Sequence, residues 1–279
     1  MKIGTRRTLR LVTAGTLLAL MAACGTTYSV PKADPTFSSQ ASAMFAEEQN
    51  QATQRAGNRL SASAAASQFN RVARRVEPVA EEFCRKLTAD REGFNCDIQI
   101  LVDTEMPNRN AFQTYDRAGN PLVTFTLPMI ADARNEHELA FVMGHEVGHH
   151  LAQHIKKKEQ QAAVGAIIAG SLMAYAAAYD TSTPQHLKQQ DINNAVMLGA
   201  AAGGHVYSQT YELESDVLGT YIAMWAGYDP VKGSLFFARP ENPKEANGQL
   251  SFWGTHPPDE KRIATVLATV AEIEKKKGQ

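Results

Sequence analysis

The residues His145-Glu146-Val147-Gly148-His149 decide how the rest of the chain is read. On a helix, positions i and i+4 share a face, so both imidazoles reach one ion. Glu146 sits beside them, where it can take a proton from a water held at that ion. Asn135, with Glu138 three places on, forms a capping box that starts the helix. The Lys156-Lys157-Lys158 cluster suits a C-terminal dipole, so the pattern predicts a helix from Asn135 to about Ile155 or that cluster. Gly144 and Gly148 lie inside it, each costing about 0.8–1 kcal/mol relative to Ala, which points to function or close packing.

Zinc in a hydrolytic site takes three protein ligands and keeps one position open for water. The best third ligand is Glu212, in Tyr211-Glu212-Leu213-Glu214-Ser215-Asp216. Asp216 lies four residues on and shares its helix face, so one carboxylate can bind metal while the other accepts the free N–H of a ligand histidine. Glu214 points elsewhere and is the weaker candidate. His150 and His154 are expected on the helix's outer face. His137 reads as structural, and His205 as a surface residue or a neighbour of the site.

Away from the motif, Phe69, Val72, Val76, Val79, Phe83 and Leu87 recur at helical spacing, with Pro78 expected to bend or split that helix. Ile98, Ile100 and Val102 alternate with polar residues, so Asp97–Asp103 reads as a strand with one buried face. Ala111–Tyr115 and Leu122–Thr126 read as two more strands, with a turn between them. Ala162–Tyr179 is uncharged over 18 residues and reads as a helix packed inside the protein, the alternatives being shallow contact with lipid and a membrane span. Further helices are expected over Asp191–Ala202, over Ser208–Ala226 and from Asp259 toward Lys275.

Hydrophobic residues make up 44% and charged residues 20% of 279, which excludes general disorder and a polytopic membrane protein. A formal charge of −1 supplies no field to attract nucleic acid. Lys2, Arg6, Arg7 and Arg10 precede an uncharged run from Leu11 to Ala23, the pattern of an export signal. That signal holds four of the 28 basic residues and no acidic one, leaving 24 against 29, a charge of −5. Leu20-Met21-Ala22-Ala23-Cys24 resembles a bacterial lipoprotein cleavage box, which implies lipid on Cys24. Gly25, rather than Asp, then favours the outer membrane. The alternative is an ordinary signal with a chance cysteine. Cys84 and Cys96 remain as an even pair in an oxidising compartment, expected as a disulfide, the alternative being two buried free thiols. The expected organisation is a signal over 1–23, a flexible tether and N-terminal segment over 24–60, and one catalytic domain over 61–279.

HExxH followed by ExxxD resembles the zinc metallopeptidases of family forty-eight, which include HtpX-like, Oma-type and CAAX prenyl proteases and bacterial lipoprotein members. The resemblance runs from about 65 to 270 and includes Asn110-Ala111-Phe112, the Asn135–Ala140 lead-in and His256-Pro257 with Arg262. It implies an α+β, zincin-like (gluzincin) fold, mostly helical with a small mixed sheet. It implies one Zn2+ per chain on His145, His149 and Glu212, with Glu146 as general base and Asp216 behind the ligands. Arg262 is placed where it can bind a carboxylate. His256 either donates to the oxyanion or fills the metal's open position. The expected function is a zinc endopeptidase on the periplasmic face of the bacterial envelope, cleaving accessible or misfolded envelope proteins held by strand addition at Ala111–Tyr115 or Leu122–Thr126. The rival reading is a latent peptidase acting as a chaperone or assembly factor for outer-membrane proteins. The expected partners are protein or peptide substrates and a membrane, not nucleic acid.

Overall fold

The computed structural model describes residues 25–55, 60–205 and 208–278. The export signal and Cys24 lie outside them, as does the side chain of His205. The chain divides into two compact units. One, built from Tyr28–Ala152 and Tyr211–Gln279, carries the HExxH helix; the other contains Gln153–Thr210. The single domain expected over 61–279 is therefore interrupted by an inserted unit.

In the first unit, α1 (Pro35–Arg55) and α2 (Ala62–Leu87) precede a three-stranded sheet of β1 (Gln99–Asp103), β2 (Ala111–Tyr115) and β3 (Pro121–Thr126). Strand order is β1-β3-β2, with β1 parallel and β2 antiparallel to β3. Short α3 (Leu127–Asp132) leads to α4 (Glu136–Leu151). After the insertion come α7 (Ser208–Trp225), α8 (Pro230–Ser234), α9 (Phe252–Thr255) and α10 (Glu260–Lys277). The core joins Phe69, Val72 and Val76 of α2 to Val123 and Phe125 of β3 and to the apolar residues of α4.

Several expectations change. The tether over 24–60 is a helix from Pro35 to Arg55, because Phe37, Ala41, Met44 and Phe45 supply an apolar stripe that packs on Ala238, Ile263 and Leu267. Pro78 does not split α2, which is continuous. Val102 is exposed where β1 reaches the sheet edge. α4 ends at Leu151, short of the lysines, because Gln153 takes a left-handed conformation (φ 54°, ψ 41°) and a new helix begins. One expectation is unchanged: Cys84 and Cys96 are joined by a disulfide, with their Cα atoms 5.7 Å apart.

The second unit is a helical hairpin of α5 (His154–Tyr179) and α6 (Gln185–His205). The uncharged run in α5 is not core. Glycines at the crossing let the backbones touch: a Cβ on Gly165 would run into the Gly199 carbonyl, and one on Gly203 into that of Gln161. That narrow seam buries Gly170 and brings the backbones together at Gly165, Gly199 and Gly203, leaving the larger residues outside, with Ile167, Leu172, Tyr179, Met197 and Leu198 about two-thirds or more exposed.

Candidate metal centre and active site

α4 supplies His145, Glu146 and His149, and its capping sets where it begins. Asn135 accepts the Glu138 N–H at 3.0 Å, while the Glu138 carboxylate reaches back to the Arg134 N–H at 2.7 Å, one residue before the cap. Glu138 also pairs with Arg239, which binds Asp132 at 2.9 Å. Glycine then explains the approach of α7. A Cβ on Gly148 would lie 2.9 Å from Ser215 Cα, and one on Gly219 2.8 Å from the His145 backbone nitrogen. The broken helix rule has a packing cause, and its result is to bring Glu212 and Asp216 against the two histidines.

His145 Nε2 and His149 Nε2 are 3.0 Å apart. Glu212 Oε2 lies 3.3 Å from His145 Nε2, and Oε1 lies 3.6 Å from His149 Nε2. Donors bound tetrahedrally at 2.0–2.1 Å from one ion stand about 3.3 Å from each other, so these separations suit a shared cation. His256 joins the group, and ligand atoms of all four buried residues lie within 4.8 Å of one another.

The proton arrangement fits too. His145 Nδ1 is 2.9 Å from Asp216 Oδ1. With Nδ1–H donated there, Nε2 is the atom left to face the cluster, where it carries a proton or, once deprotonated, a metal. Arg262 grips Asp216 from behind, Nε to Oδ2 at 2.8 Å and Nη2 to Oδ1 at 2.7 Å, while its guanidinium stacks 3.5 Å from the Phe237 ring centroid. Burial alone raises the Asp216 carboxyl, but the adjacent guanidinium outweighs it and holds the group below the usual carboxylate range. Burial likewise raises Glu212, but His256, His145 and Arg262 outweigh it and hold it well below its ordinary value. Burial lowers His145, yet its bonds to Asp216 and Glu212 prevail and push it up to about 9. The cluster thus favours a positive charge at its centre, and its residues fit a divalent metal.

Glu146 is not among the four. It is fully buried, which raises its carboxyl, and it accepts the backbone N–H of Gln113 in β2. Among the described residues its Oε1 has no hydrogen-bond partner, and it faces His256 Nε2 at 3.4 Å. An orphaned buried carboxylate oxygen beside a metal-sized cluster is placed to receive a proton. His256 Nδ1 stands 2.8 Å from Glu212 Oε2 and 3.4 Å from His145 Nε2, so its ring lies between the two glutamates.

The other expectations divide. Glu214 turns from the centre and accepts the Tyr28 N–H. His137 accepts the Asp229 N–H at 3.0 Å. His150 and His154 are buried, not on an outer face. His150 bonds the Asn95 carbonyl at 2.7 Å and sits against Phe94 and Tyr115, because sheet and loop cover that side of α4. β3 is the central strand, paired on both sides, so strand addition at Leu122–Thr126 is ruled out; β2 keeps a free edge within its sheet. Phe237 and Phe252, whose rings lie 5.0 Å from His145 and 4.5 Å from His256, were not anticipated. The adjacent aromatics Phe236-Phe237 and Phe252-Trp253 were the only signal, and their spacing fits ordinary core as well.

A sequence model of Peptidase family M48 matches residues 66–270. A putative beta-barrel assembly-enhancing protease of Vibrio cholerae serotype O1 (strain ATCC 39315 / El Tor Inaba N16961) is 33% identical over 137 residues. The aligned part covers 47% of this chain and 27% of that protein, so the chain spans about a quarter of its relative's length. The family match covers well over half of the chain and includes every residue of the buried cluster, and the chain belongs to peptidase family M48.

Proposed function

We propose that this protein is a zinc-dependent endopeptidase held at the bacterial cell envelope, probing accessible or misfolded envelope proteins on its periplasmic face. The observation that carries the peptidase reading is the convergence of His145, His149 and Glu212 on one point beside Glu146, whose Oε1 is buried and unpartnered. Zinc, when bound, polarises a scissile carbonyl and acidifies water. Glu146 takes the proton of the attacking water and returns it to the leaving amine. Asp216 and Arg262 orient His145. The β2 edge beside Glu146 holds an extended peptide by main-chain hydrogen bonds, which favours unfolded segments over a strict sequence. The envelope location rests on the export signal and on reading Cys24 as lipidated at the outer membrane.

Glu146→Gln tests the mechanism. Retained zinc, measured by elemental analysis, with proteolysis lowered about 10²–10⁴-fold is expected. Undiminished cleavage by the fully metallated variant overturns it.

A second reading is favoured by the place of His256. Its bond to Glu212 and its closeness to Glu146 put the ring where water and substrate must sit. On that reading the resting protein is latent and serves mainly in outer-membrane protein assembly, a role suggested by the relative's name. His256→Ala separates the two: a rise in basal proteolysis supports latency, and a fall supports His256 as an oxyanion donor.

A further inference from the structure

The α5–α6 hairpin carries more apolar surface than an independent soluble element needs. Its Gly/Ala seam is satisfied internally, yet Ile167, Ile168, Leu172, Tyr175 and Tyr179 are exposed on α5, with Leu187, Met197 and Leu198 on α6. At 100° per residue the five α5 side chains fall within an arc of about 140°, so they form one face. Contiguous apolar surface of this extent marks a binding face. The charged residues collect at the two ends. Lys156, Lys157, Lys158 and Glu159 stand at the base, and Asp180 to Asp191 at the tip. At the tip Asp180 accepts from Ser182 and Thr183, and Lys188 donates to the Asp180 carbonyl.

An independent observation says what covers the face. Tyr28 is fixed on the catalytic unit: its N–H donates to Glu214, its hydroxyl donates to the Leu151 carbonyl at 3.5 Å, and Arg91 lies over its ring. Leu151 is one residue before the point where the chain leaves for the hairpin, and Glu214 is three residues after the point where it returns. Only Gly25, Thr26 and Thr27 separate Tyr28 from Cys24, a reach of at most about 14 Å. The anchor and the hairpin therefore issue from one place on the catalytic unit.

We propose that the outer face of the hairpin embeds in the same bilayer that holds the lipid on Cys24, so that the protein grips the membrane at two points. The proposal rests on reading Cys24 as the anchor. The lipid supplies attachment and the hairpin restricts rotation about it. Insertion is shallow. The uncharged stretch of α6, Ile192 to Gly204, is 13 residues, about 20 Å against a hydrocarbon core of about 30 Å. Tyr175 and Tyr179 suit the interface, and Lys156, exposed at the base, suits anionic headgroups. Leu151 and Tyr211 flank His149 and Glu212 in sequence, so the chain leaves for the hairpin and returns from it within a few residues of metal-binding side chains.

The two points are tested separately. The mature chain with Cys24→Ala is mixed with vesicles of phosphatidylethanolamine and phosphatidylglycerol and floated on a density gradient. Flotation is expected, falling about tenfold or more in the combined variant Ile167→Asn, Leu172→Gln, Met197→Gln and Leu198→Gln. In a second measurement the Cys24→Ala chain, with Met197→Cys carrying an environment-sensitive fluorophore, should shift its emission to the blue when vesicles are added. No flotation with unshifted emission overturns the proposal. So does a dimer in vesicle-free sedimentation that the combined variant abolishes, since a second copy is then the occupant. Mass spectrometry of the full chain extracted from membranes reads the anchor by itself. Acylated Cys24 supports two-point attachment; a free thiol overturns the anchor reading and the double grip, whatever the vesicles report of the hairpin.

Discussion

Asp216 receives its two strongest bonds from Arg262 and passes the constraint to His145 through a third. All three side chains are buried, so the carboxylate depends on the guanidinium for its charge balance. Replacing Arg262 by Met keeps much of the volume and removes that balance. Leaving a buried charge unpaired costs about 3–5 kcal/mol, and loss of the residue orienting a ligand typically weakens metal binding about 10–100-fold. Denaturant unfolding and zinc titration should register both effects, with greater loss than in Arg262→Lys. Unchanged metal affinity in Arg262→Met would show that the second layer does not position His145. The HExxH and ExxxD residues were legible at this scale because ligand spacing is a local property of a helix. Phe237 was not legible, because an aromatic that stacks on an arginine reads like any core aromatic.

The α4–α7 crossing makes the site from two segments about 65 residues apart. Gly219 is its tightest point, with backbone rather than a flexible side chain in the way of a Cβ. Gly219→Ala gains about 1 kcal/mol of helix propensity but forces the helices apart at an overpacking cost of about 1–3 kcal/mol. We expect a lower Tm and weaker zinc binding, because Glu212 moves away from His145 and His149. A raised Tm with intact affinity would mean that the crossing is looser than described. The glycines were visible as broken helix rules, but their partner was not, since propensity carries no information about which helix approaches. The end of α4 was misplaced for a similar reason. The lysine cluster fits a C-terminus, whereas the left-handed Gln153 turns the chain into the hairpin, and lysine spacing carries no trace of that turn.

For the whole molecule, a metal held by the buried cluster would join α4 to α7, and the disulfide joins α2 to the approach of β1. Chelation leaves buried donors facing one another without a cation, so it should lower the Tm and abolish proteolysis, and added zinc should restore both. Calorimetry with and without chelator checks this; a Tm indifferent to metal would separate the cluster from folding. The Cys84→Ser, Cys96→Ser double variant should lose about 2–3 kcal/mol, read as a shifted denaturant midpoint. The interrupted domain was hidden because 18 uncharged residues have the same composition whether they fill a core or pair as a hairpin and leave their large side chains outside.

Local chemistry let the sequence alone determine the HExxH helix, the carboxylate pair downstream, the three strands and the cysteine pair. Those features depend on periodicity, capping and ligand spacing within a few turns. Tertiary structure alone decided that β3 lies between the other two strands, that residues 35–55 form a packed helix, that His150 is buried and that His256 stands between two glutamates. Each of these depends on what a face meets across space, and a one-dimensional pattern records that a face is apolar without recording its partner.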